Sequence, residues 1–431
     1  MKCELISVGT EILLGDIVNT NAQYLARRLA DSGISVMFQH TVGDNEKRLL
    51  DTLDLAFEKS DMVITTGGLG PTPDDLTKEV CAGYFGIPLV EDKKSLSKIE
   101  DYFKSKKLTM PPSNSKQALM PKDSIILENK NGTAPGCIME KNGKIIIVLP
   151  GPPGEMKPMF EDGVMPYLQK YTDGIIKSHN IRTFGIGESA MAQKVGDLLD
   201  SSNPTVAPYA KSAEALLRVT AKAGTEQEAE ALMTPVMEEI QARLDGYIYG
   251  IDKDSIEQAT VELLKQKGLT VAAAESCTAG LISKRLTDIP GSSAVFTCGI
   301  TAYANEIKES VLGVKKEHLH KYGAVSPVVA AEMAVGAVRL SGADAAVSVT
   351  GIAGPESDGT NKPVGLVYIA LSDGKKVKVT EHHFRREGGS CREYNRTASA
   401  SNAINLLRLF ALSYPEMPEG CVDAQEYISN F

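Results

Sequence analysis

In the first part of the chain, segments with the hydrophobic pattern of strands alternate with segments that have the pattern of helices. Short continuous apolar runs are typical of strands buried on both faces, and the segments between them repeat apolar residues every three or four positions. Gly33 follows the first helical segment as a stop signal. This βαβ pattern predicts an α/β fold with a doubly wound parallel sheet. The predicted strands are residues 5–8, 36–42, 62–66 and 145–149, and the predicted helices are residues 21–31 and 46–58.

The middle of the chain has weaker patterning and predicts a small α/β domain. Residues 214–221 and 246–249 are expected to pair in one small sheet covered by two helices. Such a unit more often orients its neighbours than catalyses a reaction. The predicted elements are strands at 182–186 and 215–221 and helices at 191–199 and 226–244.

A domain boundary is predicted near residue 252. Ser255 and Gln258 have the spacing of a capping box that opens a helix, and Gly268 ends that helix. Residues 415–431 lack periodicity and contain two prolines, which predicts a loosely attached extension. The predicted domains are 1–170, 171–251 and 252–412, followed by the extension 413–431.

The last domain opens with a distinctive change of pattern. Apolar residues end at Glu275, and small residues then lead into an amphipathic segment at 281–286. This indicates a buried strand that turns sharply into a helix, whose N–H groups point at whatever a nucleophile on the turn attacks. Ser276 and Cys277 are therefore candidate nucleophiles. A helix N-cap explains the same small hydroxyl residues equally well.

A second strand-to-helix segment follows at residues 299–309, with Asn305 as its expected N-cap and Lys308 in its first turn. A lysine there opposes the helix dipole, and a desolvated lysine has a depressed pKa that lets it take a proton from a serine. Tyr303 is placed to line the same cavity. A third apolar run ends at Thr350 and a glycine-rich loop. Three strand ends that meet at one edge of a sheet predict a ligand crevice.

Glycines and carboxylates also follow the third predicted strand of the first domain. Glycines directly after a buried strand can form a nest of N–H groups for phosphate, and Asp74 and Asp75 can hold a divalent cation that bridges to phosphate oxygens. A plain loop with a helix cap explains this segment equally well. Polar loops at 9–16, 131–136 and 150–156 favour the binding site. The candidate phosphate-binding residues are Gly67, Gly68, Leu69, Gly70 and Thr72.

Composition narrows the class of protein. The 431 residues include 42% hydrophobic and 23% charged positions, which is ordinary for a globular protein. No apolar run approaches membrane-spanning length and the N-terminus has no signal-peptide pattern, so we expect a cytoplasmic protein without membrane contact. Seven cysteines without a C-x-x-C pair indicate reduced thiols. The net charge of −9 argues against a nucleic-acid partner.

The motifs of the last domain resemble those of a known family. AESCTAG from Ala274, GITAYANEIK from Gly299 and VTGIAGP from Val349 resemble the nicotinamide-nucleotide amidase domain of the CinA family. The resemblance implies a C-terminal α/β domain that converts nicotinamide mononucleotide to nicotinate mononucleotide and ammonia without a cofactor. It makes Ser276 the nucleophile and Lys308 its base, with Tyr303 beside them. The implied substrate-binding residues are Thr278, Ala279, Gly280, Asn305, Thr350, Gly351, Gly354, Arg392 and Arg396.

One part of that resemblance is imperfect. The lead-in 388–391 to the arginine-bearing segment reads Gly-Gly-Ser-Cys, which departs from the family's Gly-Asp-Arg-like sequence. The sequence therefore leaves open whether Arg392 or Arg396 meets the substrate phosphate.

The loops of the first domain together resemble the molybdopterin-binding fold as CinA proteins carry it, over residues 1–170. This resemblance implies a pyrophosphatase that cleaves ADP-ribose and depends on a divalent metal ion, whether Mg²⁺, Mn²⁺ or Co²⁺. It also implies a small α/β connecting domain and a homodimer. The implied metal-binding residues are Asp74, Asp75, Glu11, Asp16 and Glu155.

Three functions remain open at this stage. The leading hypothesis is an enzyme with two sites, an N-terminal pyrophosphatase and a C-terminal amidohydrolase. In the alternative, the N-terminal domain only binds a nucleotide or pterin and the amidase alone is active. A competence-related DNA partner, which the family name suggests, finds no basic patch in the sequence to support it.

Overall fold

A computed structural model describes residues 1–171, 174–211, 214–357, 359–384 and 391–431. The lead-in 388–390, where the sequence departs from the family pattern, lies outside the described residues. The chain divides into two compact units. One unit comprises Met1–Ser178 with Thr220–Pro235, and the other comprises His179–Val219 with Val236–Phe431.

The N-terminal sheet is doubly wound, as predicted. Its strand order is β2-β1-β3-β8-β7-β6, where the first four strands are parallel and the last two are antiparallel. The strands of this sheet are β1 (Lys2–Val8), β2 (Ser35–Val42), β3 (Met62–Thr66), β6 (Ile125–Leu127), β7 (Gly136–Lys141) and β8 (Lys144–Leu149). Strands β4 (Leu89–Glu91) and β5 (Leu119–Pro121) pair antiparallel in a separate two-stranded sheet. The helices are α1 (Thr10–Leu13), α2 (Thr20–Asp31), α3 (Glu46–Phe57), α4 (Thr77–Tyr84), α5 (Lys93–Ser105), α6 (Pro153–Met159) and α7 (Met165–Leu168).

Both faces of this sheet are covered by helices, which explains the continuous apolar runs of its strands. In β1, Leu5 packs into the core on one face, whereas Ile6 packs into the core on the other. Gly33 lies just beyond the end of α2 with a φ of 76°, the left-handed conformation expected of a stop signal.

The middle domain contains a four-stranded sheet. Its strand order is β10-β11-β9-β12, so the segments 214–221 and 246–249 belong to one sheet but are not neighbours. The prediction that they pair is wrong because β9, which starts before the predicted residue 182, lies between them. The elements are β9 (Ile175–Thr183), α8 (Glu188–Val195), β10 (Thr205–Lys211), β11 (Glu214–Ala223), α9 (Glu226–Arg243) and β12 (Ile248–Ile251).

The last domain is built on a mixed six-stranded sheet with the order β14-β13-β15-β16-β17-β18. Strands β14, β13 and β15 are parallel, and β16 to β18 are antiparallel. The strands are β13 (Val271–Glu275), β14 (Phe296–Thr301), β15 (Ala345–Gly351), β16 (Leu366–Ser372), β17 (Lys376–His383) and β18 (Val422–Asp423). The helices are α10 (Ile256–Lys267), α11 (Leu281–Thr287), α12 (Asn305–Ser310), α13 (Lys316–Tyr322), α14 (Pro327–Ser341), α15 (Cys391–Ser413) and α16 (Ala424–Ser429).

The predicted capping box at the start of this domain is confirmed. The Ser255 hydroxyl caps α10 by accepting the Gln258 N–H at 3.2 Å, and Gly268 ends the helix in the left-handed conformation. The Asp373 carboxylate accepts two backbone N–H groups in the turn between β16 and β17.

The C-terminal segment is not loosely attached, so that prediction is wrong. Strand β18 pairs with β17, and α16 buries Ile428 against the core. The Phe431 ring packs edge-on against Tyr322 at 5.5 Å between centroids, and Lys321 Nζ donates to the Phe431 carbonyl at 2.9 Å. A sheet edge and one aromatic contact hold this segment, and neither leaves a periodic pattern in the sequence.

None of the helices in the described part of the chain is long and apolar enough to cross a bilayer.

Candidate functional sites

The sharp turn between β13 and α11 is held by a carboxylate. Glu275 ends the strand with no exposed surface, and its side chain accepts the N–H groups of Ile282 and Ser283 at 3.0 and 2.9 Å. The Ser283 hydroxyl donates to the same carboxylate at 2.7 Å. A negative charge at a helix N-terminus is favourable, and here it folds the chain back onto the end of its own strand.

The residues of this turn are therefore not the side-chain cap of α11. The N-cap position is Gly280, with a φ of 90°, and no side chain of the turn caps the helix in the manner of an N-cap serine or threonine. The alternative interpretation of Ser276 as an N-cap is thus wrong. The Ala279 N–H donates to the Ser276 carbonyl, whereas the N–H groups of Thr278 and Gly280 donate to no acceptor among the described residues.

The two candidate nucleophiles differ in their surroundings. Ser276 is half-buried and its N–H is fixed by the Val349 carbonyl at 2.9 Å, which ties the turn to the end of β15. Cys277 is 7% exposed, and burial raises the pKa of its thiol to about 11. The enclosure of the Cys277 side chain, rather than this shift, weighs against it as the attacking group, because a substrate reaches the half-buried Ser276 more easily.

Lys308 is the most unusual charged residue of this domain. Its side chain is 1% exposed, its Nζ donates to the Tyr303 carbonyl at 2.9 Å, and no carboxylate among the described residues forms an ion pair with it. Desolvation by burial lowers the pKa of the Lys308 ammonium, and the Cys277 thiol lies within electrostatic reach. Of Tyr303, the carbonyl makes this contact, while the side chain is largely exposed.

The helix-dipole explanation for Lys308 is wrong. Ala304 is the N-cap of α12, Asn305 is its exposed first residue, and Lys308 lies in the last turn of this six-residue helix. Burial rather than the dipole therefore disfavours the charged form of Lys308.

Two arginines of α15 hold the strand-end loops. Arg396 donates through Nε and one Nη to the carbonyls of Cys277 and Thr278, at 3.1 and 2.8 Å. Arg392 is exposed and donates one Nη to the Gly354 carbonyl at 2.7 Å. Arg392 thus keeps more free donors than Arg396, which is committed to the nucleophile turn.

The other residues predicted for this crevice have backbone or structural contacts. The Thr350 hydroxyl donates to the Ala324 carbonyl at 2.7 Å, and Thr278 Oγ1 is buried without a hydrogen-bond partner. A Cβ on Gly351 would meet the Leu366 carbonyl oxygen at 2.8 Å, so close packing of β15 against β16 requires glycine there.

The predicted phosphate site of the first domain lies in a cleft of about 620 Å³ at the ends of β1, β3 and β8. Gly67 has a φ of 99°, and a Cβ there would lie 2.0 Å from the Val8 carbonyl oxygen. The N–H groups of Gly68, Leu69 and Gly70 donate to no acceptor among the described residues. This leaves a run of free donors in the cleft, which is the arrangement that binds phosphate.

Four of the predicted acidic residues line this cleft and one does not. Asp74, Asp75, Glu11 and Glu155 are among its lining residues, whereas Asp16 is exposed outside it. The prediction for Asp16 is therefore not supported by its position.

Thr72 does not line the cleft but contacts the side chains of Asp74 and Asp75. Its hydroxyl donates to Asp74 Oδ1 at 2.5 Å and also to Asp75 Oδ2, so the two carboxylates are held side by side. The Thr72 hydrogen bond lowers the pKa of the Asp74 carboxyl.

The acidic side chains of this cleft match the ligand set of a divalent metal ion only in part. No group of three or more His, Cys, Asp or Glu side chains in the described residues could hold a metal ion by itself. Mg²⁺ is usually bound by one or two carboxylates together with substrate phosphates and water. Asp74 and Asp75 supply these one or two carboxylates. A metal ion would therefore bind together with the substrate phosphates rather than at a site formed by protein ligands alone.

Comparison with known proteins identifies the family. Residues 253–411 match the family described as "CinA C-terminal domain", residues 4–170 match "Probable molybdopterin binding domain", and residues 178–250 match "Damage-inducible protein CinA KH domain". A "CinA-like protein" of Dictyoglomus turgidum is 51% identical over 95% of this chain and 98% of its own length. The chain belongs to the CinA family.

The chain is similar to further proteins besides this one. A "Putative competence-damage inducible protein" of Clostridium kluyveri is 51% identical over 95% of this chain and 99% of its own length. Among solved structures, the protein CinA from Thermoplasma acidophilum is 36% identical over 38% of this chain and 96% of its own, with a TM-score of 0.36. Protein CihA from Agrobacterium tumefaciens is 42% identical over 35% and 91%, with a TM-score of 0.33.

The KH match bears on the prediction that nucleic acid is not a partner. RNA-binding KH domains clamp the nucleic-acid backbone with a G-x-x-G loop. No two glycines in residues 178–250 have that spacing, so the sequence of this CinA-family chain does not carry the loop. The absence of a nucleic-acid partner stays a prediction.

Sequence reasoning missed two functional carboxylates. Glu275 was read only as the point where the apolar run ends, although a carboxylate directly before a small-residue turn is a signal for helix capping. Asp44 lines the N-terminal cleft and accepts the N–H and hydroxyl of Thr10 at 3.0 and 2.9 Å. Asp44 follows β2, the one strand end of the parallel set that was not searched for polar residues.

Proposed function

We propose that the C-terminal domain hydrolyses the carboxamide of nicotinamide mononucleotide to nicotinate mononucleotide and ammonia. The observation that carries this proposal is Lys308, which is 1% exposed and has no carboxylate partner among the described residues. A buried lysine with a lowered pKa, within electrostatic reach of Cys277 on the turn that carries Ser276, is a candidate general base.

In the proposed mechanism, neutral Lys308 takes the proton of the Ser276 hydroxyl while Oγ bonds to the carboxamide carbon. The carbonyl electron pair moves to oxygen, and the free N–H groups of Thr278 and Gly280 receive the oxyanion. The C–N bond then breaks, the nitrogen takes the proton from Lys308, and ammonia leaves. Water attacks the acyl-enzyme by the same route and restores the Ser276 hydroxyl.

The arginines of α15 take different parts in this proposal. Arg396 already donates to two carbonyls of the nucleophile turn, so it positions that turn. Arg392 has free guanidinium donors, which suit the substrate phosphate. Replacing Arg392 should therefore raise KM, whereas replacing Arg396 should lower kcat.

The experiment for this proposal is ammonia release from nicotinamide mononucleotide by the purified chain, with nicotinate mononucleotide identified by chromatography. Free nicotinamide, which lacks the phosphate, is the matched control substrate and should react far more slowly. A chain that is folded but releases no ammonia from the nucleotide would contradict the proposal.

We further propose that the N-terminal domain hydrolyses ADP-ribose to AMP and ribose 5-phosphate with a divalent metal ion. The free N–H groups of the 67–70 loop and the paired carboxylates of Asp74 and Asp75 in one cleft support it. When bound, Mg²⁺, Mn²⁺ or Co²⁺ would neutralise the bridging phosphates and acidify the attacking water. Asp74 and Asp75 would hold the ion, and the glycine loop would orient the phosphates.

A binding module is the second candidate for this domain. The reason is that the described protein side chains do not by themselves form a group of three potential metal ligands. Product analysis with ADP-ribose over a panel of Mg²⁺, Mn²⁺ and Co²⁺ distinguishes the two. Formation of AMP with at least one metal supports the pyrophosphatase. Nucleotide binding without cleavage under every metal supports the module.

A further inference from the structure

A buried arginine in the second half of α15 has no use in either proposed reaction. Arg408 is 6% exposed and shares the lining of a small pocket with the apolar residues Leu263 and Leu412. Its Nε donates to Asn405 Oδ1 at 3.0 Å, and no acceptor among the described residues takes a hydrogen bond from its Nη groups. The Nη donors are therefore free of protein acceptors in the described part of the chain and reachable only through this pocket.

The carboxylates of this region are engaged elsewhere. Glu262 accepts from Lys253 Nζ at 2.6 Å, and Glu214 accepts from Arg182 at 2.9 Å. No ion pair with Arg408 is formed by the described carboxylates. A guanidinium in a small, partly apolar pocket, with free donors and no protein anion paired to it, is a position that an external anion would stabilise.

Arg408 lines a pocket that could admit such an anion. The pocket has a volume of about 260 Å³, and its lining also includes Tyr249, Lys253, Glu262, Leu263 and Leu412. The one carboxylate in this lining, Glu262, is paired with Lys253. Pockets for drug-sized molecules are typically about 300–1,000 Å³, so this volume fits a small ion rather than a nucleotide. The planar guanidinium matches the two oxygens of a carboxylate or phosphate.

We propose that this pocket binds a small oxyanion, either inorganic phosphate or a carboxylate, through the guanidinium of Arg408. The site is separate from the substrate-phosphate site proposed at Arg392. Arg392 and Arg408 are sixteen positions apart on one helix, which corresponds to about 24 Å. The proposal does not depend on either enzymatic activity.

The first test observes Arg408 directly. The full chain is labelled with ¹⁵N-arginine, and the Nε resonance of Arg408 is assigned by its loss in Arg408→Lys. Phosphate, acetate and chloride are then titrated separately at constant ionic strength. We expect a saturable shift of the Arg408 resonance with phosphate or acetate and none with chloride, and the stronger of the two identifies the anion class. If phosphate and acetate shift the Arg408 resonance no more than chloride does, water fills the pocket and the proposal is overturned.

The second test measures thermal unfolding of Arg408→Met, with Arg339→Met as the matched control. Arg339 is an exposed arginine of the same domain that donates to the Leu312 carbonyl at 3.0 Å. Without phosphate, Arg408→Met should unfold no earlier than the wild type, because the guanidinium forms no ion pair with the described carboxylates that the substitution would break. Added phosphate should raise its unfolding temperature less than it raises those of the wild type and Arg339→Met. An equal rise in all three chains overturns the proposal.

If Arg408→Met does not fold, Arg408→Lys replaces it in the same assay. Lysine retains the charge but loses the planar fork, so the phosphate-dependent rise should be smaller than in the wild type. A rise equal to that of the wild type counts against recognition by the guanidinium.

Discussion

Two adjacent residues, Ser276 and Cys277, are equally good nucleophiles in the sequence and unequal in the structure. Both follow the same buried strand, and a pattern of apolar positions does not tell which side chain of a turn faces the core. The structure buries Cys277 to 7% exposure and leaves Ser276 half-buried. Burial also raises the pKa of the Cys277 thiol to about 11, but it is the accessibility of Ser276 to a substrate that distinguishes the two side chains.

The first prediction follows from this difference. Ser276→Ala should reduce ammonia release from nicotinamide mononucleotide by about 10³-fold or more, because a nucleophile and its base act as one unit. Cys277→Ala is the matched control and should change the rate by less than about tenfold, since only packing is altered. Near-normal ammonia release by Ser276→Ala, with loss of activity in Cys277→Ala, would assign the reaction to the thiol.

The second prediction concerns pH. Burial lowers the pKa of Lys308, so its neutral form appears at a lower pH than that of an ordinary lysine. Activity should therefore rise with pH through this lowered pKa and be lost as the pH falls below it and the amine is protonated. The acid limb of the kcat/KM profile measures it.

Lys308→Arg keeps a positive charge that does not titrate, so it should lose the activity at every pH tested. An acid limb at the ordinary pKa of a lysine, or an active arginine variant, would remove Lys308 from the role of base.

At the scale of elements, the turn after β13 shows where sequence reasoning stops. The strand, the turn and α11 were predicted from the change of period, and the structure confirms them. The Glu275 cap was not predicted, because capping depends on how a side chain folds back in space rather than on periodicity. The same limit applies to β18, a two-residue strand defined only by its pairing with β17.

The third prediction tests the cap. Glu275→Gln should lower the free energy of unfolding of the C-terminal domain by about 1.5–3 kcal/mol, because the charged acceptor of these hydrogen bonds is lost. It should also lower kcat, since the cap fixes the turn that carries Ser276. Urea unfolding and initial rates are the measurements.

Ser283→Ala is the matched control for the cap. It removes one neutral hydroxyl donor and leaves both backbone N–H bonds to Glu275, so its cost should be about 1 kcal/mol. If Glu275→Gln costs no more than Ser283→Ala and leaves kcat unchanged, the cap is not what positions the nucleophile.

At the scale of the whole molecule, the βαβ alternation was readable from the sequence, whereas the edges of the sheets were not. Antiparallel β6 and β7 carry short runs that resemble loops, and the middle sheet interposes β9 between segments expected to pair. Strand order depends on contacts between residues far apart in the chain. A pattern of local periodicity does not contain that information.

The fourth prediction is that residues 252–431 deamidate nicotinamide mononucleotide without the rest of the chain. No proposed amidase residue lies before residue 275, so kcat should stay within about tenfold of that of the full chain. The fragment loses Tyr249, which is 7% exposed in the core of this domain, so its unfolding temperature should be lower. Full-length Tyr249→Ala should show the same loss of stability with normal activity. A folded but inactive fragment would place part of the site outside residues 252–431.

The last prediction separates the two proposed activities. Asp74→Asn with Asp75→Asn should abolish metal-dependent cleavage of ADP-ribose, because these paired carboxylates are the proposed anchor of the metal beside the glycine loop. Ammonia release should be unchanged, since both residues belong to the N-terminal domain. Asp16→Asn removes an exposed carboxylate that does not line the cleft, so it is the matched control and should cleave ADP-ribose normally. AMP formation is followed by chromatography over the panel of metals. If the double variant still forms AMP at the wild-type rate, other carboxylates of the cleft hold the metal; Asp44, Glu11 and Glu155 are then the side chains to replace next.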